Sequence, residues 1–320
     1  MRYLTQMSIT YRTTEFARLA SVALVSTALL IGLAPVSVQA QDTPSTVQNA
    51  VPSELAGETP STPLSQLAGQ SVERQVAWLN HAASSGQLEK SSDPQLLELF
   101  QSLKPDTLSR YVQAGSARYR EYQFQMFSQQ RVRGVWQEQA AHMLVRYRQE
   151  PRQVYAKWLA DGRSAGQEMI YDEQKNPDQI YAHQGGLFHF VAMWTPINGD
   201  RAMAQSNHTV RELSLGFVTD LYLTEMKKYR AAGVEKPIKI EVLEDHGVRV
   251  VAFTWETPTG QPEFYAKRER LGLDLRHPFF RTAESWDKQG EIFEKFSFTD
   301  VVLKHFDEAT FDPKNPEYGF

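Results

Sequence analysis

Apolar and polar residues follow one spacing in the first part of this chain and a different spacing after Arg118. Residues 71–84 and 93–114 carry apolar side chains three and four positions apart, which is typical of amphipathic helices. From Arg118 onward the spacing changes to two, and it brings Tyr122, Phe124 and Met126 onto one face of a predicted strand. The pattern therefore predicts short helices first and a sheet afterwards.

Further strands are separated by short segments that contain the Pro, Gly, Asn or Asp residues of tight turns. The candidate strands are residues 142–147, 153–159, 167–171, 179–183, 187–194, 238–243, 248–256, 263–270, 279–286 and 291–304. Together with the strand that follows Arg118, these segments predict a sheet of roughly ten strands in all, interrupted by one long helix, since neighbouring candidates can merge. The predicted fold class is α+β.

The helices have recognisable ends. Ser71 and Asp93 are the candidate N-caps of the two early helices. Residues 209–212 form a capping box, Thr-Val-Arg-Glu, directly before the long apolar-faced helix. Gly233 is placed to end that helix. We therefore expect one continuous helix over residues 209–230, lying across the sheet.

The first forty residues have the pattern of an export signal. Three arginines are followed by an apolar run over residues 19–33, and Val38 and Ala40 are small residues at the −3 and −1 positions of a cleavage site. A single transmembrane anchor is the alternative, but the run is short for one. The sequence predicts a signal peptide at 1–40, export to the periplasm and no permanent membrane anchor after cleavage.

The remaining chain divides into three parts by composition. Residues 41–70 are rich in Pro, Ser, Thr, Gln and Gly and are expected to be a flexible linker. Residues 71–116 form the helical segment, which we expect to pack on the sheet, and residues 117–320 form the sheet domain.

Composition excludes several classes of function. A net charge of −4 disfavours nucleic-acid binding, and 41% hydrophobic with 22% charged residues is the balance of a soluble globular protein. The absence of cysteine excludes disulfides, thiolate metal sites and cysteine nucleophiles. No cofactor is expected, because the sequence contains neither a P-loop nor a G-x-G-x-x-G motif.

Candidate catalytic groups are few, and each has a plainer interpretation. His183, His189 and His208 include a pair around a glycine turn that could hold a metal, but hydrogen bonding at a turn or on the sheet surface is the preferred interpretation. The carboxylates Glu168 and Asp172 suit a glycosidase only if they share a face, and such pairs are usually solvated. No serine lies in a G-x-S-x-G elbow. The sequence predicts no catalytic residue and no metal site.

Large apolar residues are frequent in the predicted strands and in the long helix. They fill a core, or they line a gap that a curved, thinly covered sheet leaves open to an apolar ligand. The candidate ligand-binding residues are Tyr155, Trp158, Met169, Phe188, Phe190, Trp194, Phe217, Phe253 and Trp255. Arg146, Arg148 and Arg152 form a candidate basic rim for an acidic head group or a partner, or else a solvated face.

Two separate stretches carry a family resemblance. The matching residues are the run R-Y-R-x-E-P-R-x-V-Y-x-K-W-L at 146–159, G-Q-E-M-I-Y at 166–171, K-N at 175–176, A-H at 182–183, F-S-F-T-D at 296–300 and F-D-P-K-N-P-E-Y-G-F at 311–320. Over residues 117–320 the chain resembles the exported bacterial family known as domain of unknown function 1571. That family is similar in fold to the LolA and LolB carriers of lipoproteins, although this chain has no cysteine for lipidation.

The resemblance implies a curved antiparallel half-barrel with helices on its concave side, a hydrophobic cavity for acyl chains and no catalytic residue. The expected function is that of a non-catalytic periplasmic carrier or binding protein for a lipid, acyl chain or other hydrophobic molecule, with the helix at 209–230 moving as a lid. The alternative is an envelope scaffold that binds a protein partner without a ligand. A hydrolase or metal-dependent enzyme that uses the three histidines is a weaker alternative.

Overall fold

The computed structural model describes residues 64–186, 191–260 and 263–320. The predicted signal peptide and residues 41–63 of the predicted linker lie outside these ranges. Within them, the first part of the chain is helical: α1 (Leu64–Leu67), α2 (Val72–Ser84), α3 (Gln87–Lys90), α4 (Asp93–Ser102) and α5 (Pro105–Ser116). None of the helices in the described ranges is long and apolar enough to cross a membrane.

The helix starts follow the sequence pattern with one correction. The Ser71 hydroxyl accepts a hydrogen bond from the Arg74 amide, so Ser71 caps α2 as predicted. The cap of α4 is Ser92 instead of Asp93, which already lies inside the helix. The Ser92 amide has no acceptor within the helix. It donates a hydrogen bond to Gln95 Oε1 at 2.9 Å instead.

The rest of the chain forms one open antiparallel sheet of twelve strands, two more than the estimate from sequence. The strands are β1 (Glu121–Val132), β2 (Val135–Trp136), β3 (Ala141–Arg148), β4 (Gln153–Trp158), β5 (Glu168–Asp172), β6 (Gln179–His183), β7 (Met193–Pro196), β8 (Lys239–Asp245), β9 (Val248–Glu256), β10 (Arg268–Asp274), β11 (Phe280–Trp286) and β12 (Ile292–Leu303). Their order is β7-β6-β5-β4-β3-β1-β12-β11-β10-β9-β8, with β2 paired to β1. The first and last strands of the chain, β1 and β12, thus lie side by side at the centre of the sheet.

The two faces of the sheet are covered differently. The inner face carries Tyr122 and Phe124 of β1, both buried, and packs against the helices. The outer face carries Tyr155 and Ile170, which pair across β4 and β5. Because side chains alternate along each strand, this register assigns every strand residue to one face.

Helix α6 (Leu215–Ala231) lies on the inner face. The predicted capping box at 209–212 forms, but it closes a separate 3₁₀ turn, Val210–Glu212, so the expectation of one continuous helix is wrong. Ser214 caps α6, and its hydroxyl accepts from the Phe217 amide at 3.1 Å. The Leu215 amide donates to the hydroxyl of Tyr122 at 3.0 Å, which fastens the start of α6 to the central strand.

The C-terminal tail (residues 304–320) crosses the outer face of β3–β6. A 3₁₀ turn, Glu308–Phe311, places Phe311 in a small apolar cluster with Phe306, Tyr155 and Ile170. Apolar residues of the tail therefore bury part of the outer face, while the helices pack on the inner face.

Candidate functional site

A cavity of about 370 Å³ lies between the inner face and the segment that leads into α6. Its apolar lining comes from β1, β3–β7 and β12 and from α6. The main apolar residues are Met126, Ala141, Met143, Trp158, Met169, Ile180, Ala182, Met193, Phe217, Phe296 and Phe298. The volume falls within the range of small-molecule sites in proteins.

The cover of the cavity is the segment at residues 201–214, and polar contacts hold it to the sheet. Gln130 of β1 accepts from the Asn207 amide at 2.7 Å and donates to the hydroxyl of Ser206 at 3.2 Å. Gln205 Oε1 accepts from the Ser164 hydroxyl at 2.7 Å and from Arg163 at 3.1 Å. These contacts bring a polar strip to one wall of an otherwise apolar space.

His208 occupies the end of this strip, between two carboxylates. Its Nε2 lies 2.6 Å from Glu294 Oε1 on β12, and its Nδ1 lies 3.0 Å from Glu212 Oε2. The hydroxyl of Tyr265 donates to the other oxygen of Glu294. Burial disfavours a charged ring, but the hydrogen bonds to Glu212 and Glu294 outweigh it and raise the pKa of His208 to about 9.

Two more buried carboxyl groups lie beyond this network on the inner face. Glu225 of α6 pairs with Lys228 at 2.7 Å and accepts from the Tyr265 amide at 3.0 Å. Burial, with the nearby charges of Glu225 and Glu294, raises the pKa of Glu269 to about 8. The network joins the cover, α6 and the sheet electrostatically. Both nitrogens of His208 are engaged, so the ring has no free position at which to act as a base.

The structure brings three of the predicted ligand-binding residues together. Trp158, Met169 and Phe217 line the cavity. Phe253 and Trp255 lie on the inner face at the far end of the sheet, where they line a separate cavity of about 410 Å³ beside α4 and α5. The predicted residues Phe188 and Phe190 lie outside the described residues.

Two predicted ligand-binding residues face away from the cavity. Tyr155 is on the outer face, with its ring stacked 3.9 Å from that of Tyr318 in the tail. Trp194 is also on the outer face, 46% exposed and next to Tyr181. Tyr155 and Trp158 are three positions apart on one strand, and an odd spacing directs side chains to opposite faces. Grouping Tyr155 and Trp194 with the cavity residues was therefore wrong.

The predicted basic rim is also corrected. Arg148 is buried and donates to Gln153, to Glu308 and to the carbonyl oxygen of Phe306. Arg146 donates to the hydroxyl of Tyr318 at 3.0 Å, and Arg152 lies 3.9 Å from Glu173. These guanidinium groups face partners within the chain, and the first two hold the tail on the outer face.

The histidines do not converge. His183 Nδ1 contacts the carbonyl oxygen of Gln184 at 3.0 Å, and its ring meets that of Phe320 edge-on. His208 is engaged by Glu212 and Glu294, and His189 lies outside the described residues. In the part of the chain that the structure describes, no group of three or more His, Asp or Glu side chains is arranged to hold a metal ion.

Sequence reasoning missed most of the inner-face lining of the cavity. Met126, Met143, Phe296 and Phe298 line it, and each alternates with outward-facing residues on its strand. The alternation along β1 placed Met126 on the same face as Tyr122 and Phe124, but it did not show that this part of the face borders a cavity. The polar residues Arg163 and Gln205 carry no periodic signal, because they lie in loops that only the folded sheet brings together.

The contact between the tail and the outer face leads to a testable prediction. Replacing Tyr318 by alanine removes its stack on Tyr155 and its hydrogen bonds to Arg146 and Thr310, and should lower the free energy of unfolding by ~1–2 kcal/mol. Tyr318→Phe keeps the ring and should lose about half as much. Chemical denaturation followed by tryptophan fluorescence measures both. Equal losses in the two variants would contradict a contribution from the stack.

The fold and the cavity define an α+β protein with an open antiparallel sheet and a pocket under its helical side. The model of the family "Protein of unknown function (DUF1571)" matches residues 119–320, more than half of the chain. The protein belongs to this family. No curated protein matches the chain significantly.

Several solved structures are similar to this chain at low identity. An uncharacterised conserved protein from Thermus thermophilus is 10% identical, with 65% of this chain and 95% of that chain covered and a TM-score of 0.36. MucB from the MucA/MucB complex of Pseudomonas aeruginosa is 11% identical, with 64% and 60% covered and a TM-score of 0.35. The LolA superfamily protein NE2245 from Nitrosomonas europaea is 6% identical, with 66% and 98% covered and a TM-score of 0.29.

Proposed function

We propose that this protein is a non-catalytic binding protein of the bacterial periplasm that holds the apolar part of a lipid, acyl chain or similar molecule. The observation that carries the proposal is the cavity of about 370 Å³ against the inner face, whose apolar lining includes Met, Phe, Trp and Ile side chains. The basic and apolar pattern of residues 1–40 supports export.

Burial of an acyl chain supplies the binding energy. Each methylene removed from water contributes about 0.8 kcal/mol, so ten buried methylenes contribute ~8 kcal/mol before the costs of association. The lining supports this use of the space, because methionine side chains adapt to chains of different shape. Entry and exit require movement of the cover at 201–214, which Gln130 and Arg163 hold by hydrogen bonds that can break and re-form.

Filling the cavity should abolish binding of an uncharged apolar probe. Ala182 lies on the inner face of β6, opposite Met169 and Met193, and lines the cavity. We expect Ala182→Phe to weaken binding of N-phenylnaphthylamine, read by its fluorescence, at least ~tenfold, which corresponds to about 1.4 kcal/mol. Native mass spectrometry of protein purified from the periplasm should show a bound lipid that this variant loses.

The matched control is Ala232→Phe. Ala232 is half-buried like Ala182, but it lies at the end of α6 and does not line the cavity. It should bind the probe like the wild type. Absence of both bound lipid and probe binding in the wild-type protein would contradict the proposal.

A second candidate function is that of an envelope scaffold that binds a protein partner. The observation in its favour is the exposed pair Met193 and Trp194 on β7, at the end of the sheet. Exposed aromatic and methionine side chains are enriched where proteins associate. A wild-type protein that carries no lipid and binds no apolar probe would favour this candidate over a carrier.

A further inference from the structure

We propose that the ligand of this cavity is an anionic amphiphile, whose carboxylate or phosphate head is bound by Arg163 and Arg201 while its single apolar chain lies along the inner face. The inference rests on the proposed function, because it assigns the chemistry of the ligand in that same cavity. The observation that supports it is that neither arginine pairs with a carboxylate among the described residues.

Arg163 is a half-buried cation that lines the cavity and pairs with no carboxylate among the described residues. Its guanidinium donates only to neutral oxygens: the side chain of Gln205 at 3.1 Å, the carbonyl of Gln205 at 3.4 Å and the hydroxyl of Ser164 at 3.4 Å. Its Nε–H is buried without any acceptor. A buried donor on a charged group is costly to leave unpaired.

Three other arginines with little exposed surface pair with carboxylates. Arg131 contacts Asp287 at 2.8 Å, and Arg148 contacts Glu121 at 3.0 Å. Arg281 contacts Asp274 at 3.3 Å. Arg163 has no such partner among the described residues, and its guanidinium borders the cavity. An anionic acceptor from outside the chain would therefore supply the missing ion pair.

Arg201 adds a second positive charge to the same cover. It lines the cavity four positions before Gln205, contacts the sulfur of Met193, and forms no ion pair within the described ranges. The acidic residue of the lining, Glu212, is already engaged by His208. The unpaired charge of the cavity wall is therefore positive, and an anion is the species that it attracts.

The geometry also limits the apolar part of the ligand. Met126, Met143, Trp158 and Met169 continue the lining from the polar strip along the sheet. A volume of about 370 Å³ is at the small end of ligand sites, which range over ~300–1,000 Å³, and suits one chain better than several. A positively charged wall next to an apolar lining fits an anionic amphiphile with a single chain.

The test compares ligands that share one chain and differ only in the head. Isothermal titration calorimetry with dodecanoate, dodecyl phosphate, dodecanol and dodecyltrimethylammonium, all below their aggregation concentrations, measures the affinities. We expect both anions to bind ~10- to 100-fold more tightly than dodecanol, the range for hydrogen bonds to a charged group. The cation should bind more weakly than dodecanol. Of the two anions, the tighter one indicates whether the natural head is a carboxylate or a phosphate.

Variants assign the preference to the arginines. Arg163→Gln should remove most of the anion preference, measured in each variant as the ratio of the affinity for dodecanoate to the affinity for dodecanol. Arg201→Gln should remove a smaller part because Arg201 is exposed. The control is Arg120→Gln, an exposed arginine at the start of β1 that does not line the cavity. If Arg163→Gln does not fold, the salt dependence of binding to the wild-type protein provides the test. Added salt should weaken the binding of dodecanoate and leave the binding of dodecanol unchanged.

The outcomes separate this inference from the proposed function. Equal wild-type affinities for dodecanoate and dodecanol, with Ala182→Phe weakening both, would overturn the anionic head and leave the apolar cavity standing. An anion preference that survives both arginine replacements would also overturn it. Failure of every dodecyl ligand and of N-phenylnaphthylamine to bind the wild-type protein would overturn the proposed function itself.

Discussion

Replacement of His208 by glutamine is expected to lower the free energy of unfolding by about 3 kcal/mol near neutral pH, because removing one partner of a buried ion pair leaves the other charge uncompensated. The side chain of Glu294 is only 4% exposed and loses its partner at 2.6 Å. Its charge then remains close to the buried carboxyl group of Glu269. Glutamine keeps a hydrogen-bonding side chain but not the positive charge.

The effect depends on pH with a definite sign. The folded protein holds the proton of His208 more tightly than the unfolded chain, with a pKa of about 9 against 6.5. The contribution of this proton is therefore complete below pH 6.5 and is lost as the pH rises through about 9. The raised pKa of Glu269 also makes stability fall as pH rises, between 4.5 and about 8, but this carboxyl group is present in both proteins.

Urea denaturation of the wild type and His208→Gln over this pH range measures the difference in the free energy of unfolding. The difference should be largest below pH 6.5, should shrink as the pH rises from 6.5 to about 9, and should level off above that. His305→Gln is the control, because the side chain of His305 is 91% exposed and its pair with Glu121 should contribute less than ~1 kcal/mol. A constant difference between the wild type and His208→Gln across the range would contradict a charged His208.

Replacement of Gly115 by alanine is expected to lower the free energy of unfolding by about 3 kcal/mol, at the upper end of the usual cost of overpacking. Gly115 lies in α5, where alanine would normally stabilise a helix by ~1 kcal/mol. A Cβ at this position would lie closer than 3.0 Å to three atoms of Pro278, one of them the backbone carbonyl oxygen. Because that oxygen cannot rotate away, the helix has to move from the loop before β11.

Gly216 in the first turn of α6 provides the matched control for Gly115. A Cβ there would meet only the hydroxyls of Ser214 and Ser116 at 3.6 and 3.7 Å, which is ordinary contact. Gly216→Ala should therefore leave stability unchanged or raise it by up to ~1 kcal/mol. Thermal and urea denaturation compare the two variants. A similar small effect at both positions would contradict the close approach of α5 to Pro278.

The alternation of residues predicted the elements better than it predicted the site. The change of spacing at Arg118 correctly separated helices from strands, and Ser71 was correctly predicted as a cap. The continuous helix from residue 209 was wrong because Leu213, with φ −80° and ψ 72°, interrupts the helical backbone after the capping box. A capping box shows where a helical turn starts, but it does not determine how long the helix continues.

The sequence by itself determined where helices give way to strands and where residues alternate along a strand, because backbone periodicity and turn chemistry are local. It also determined the family, through motifs that extend along the sheet domain. Only the tertiary structure decided which faces are covered: the tail on the outer face, and α6 with its cover on the inner face. It alone paired His208 with Glu294, 86 residues apart, and left Arg163 without a carboxylate among the described residues. Such contacts depend on the packing of distant segments, which no local pattern records.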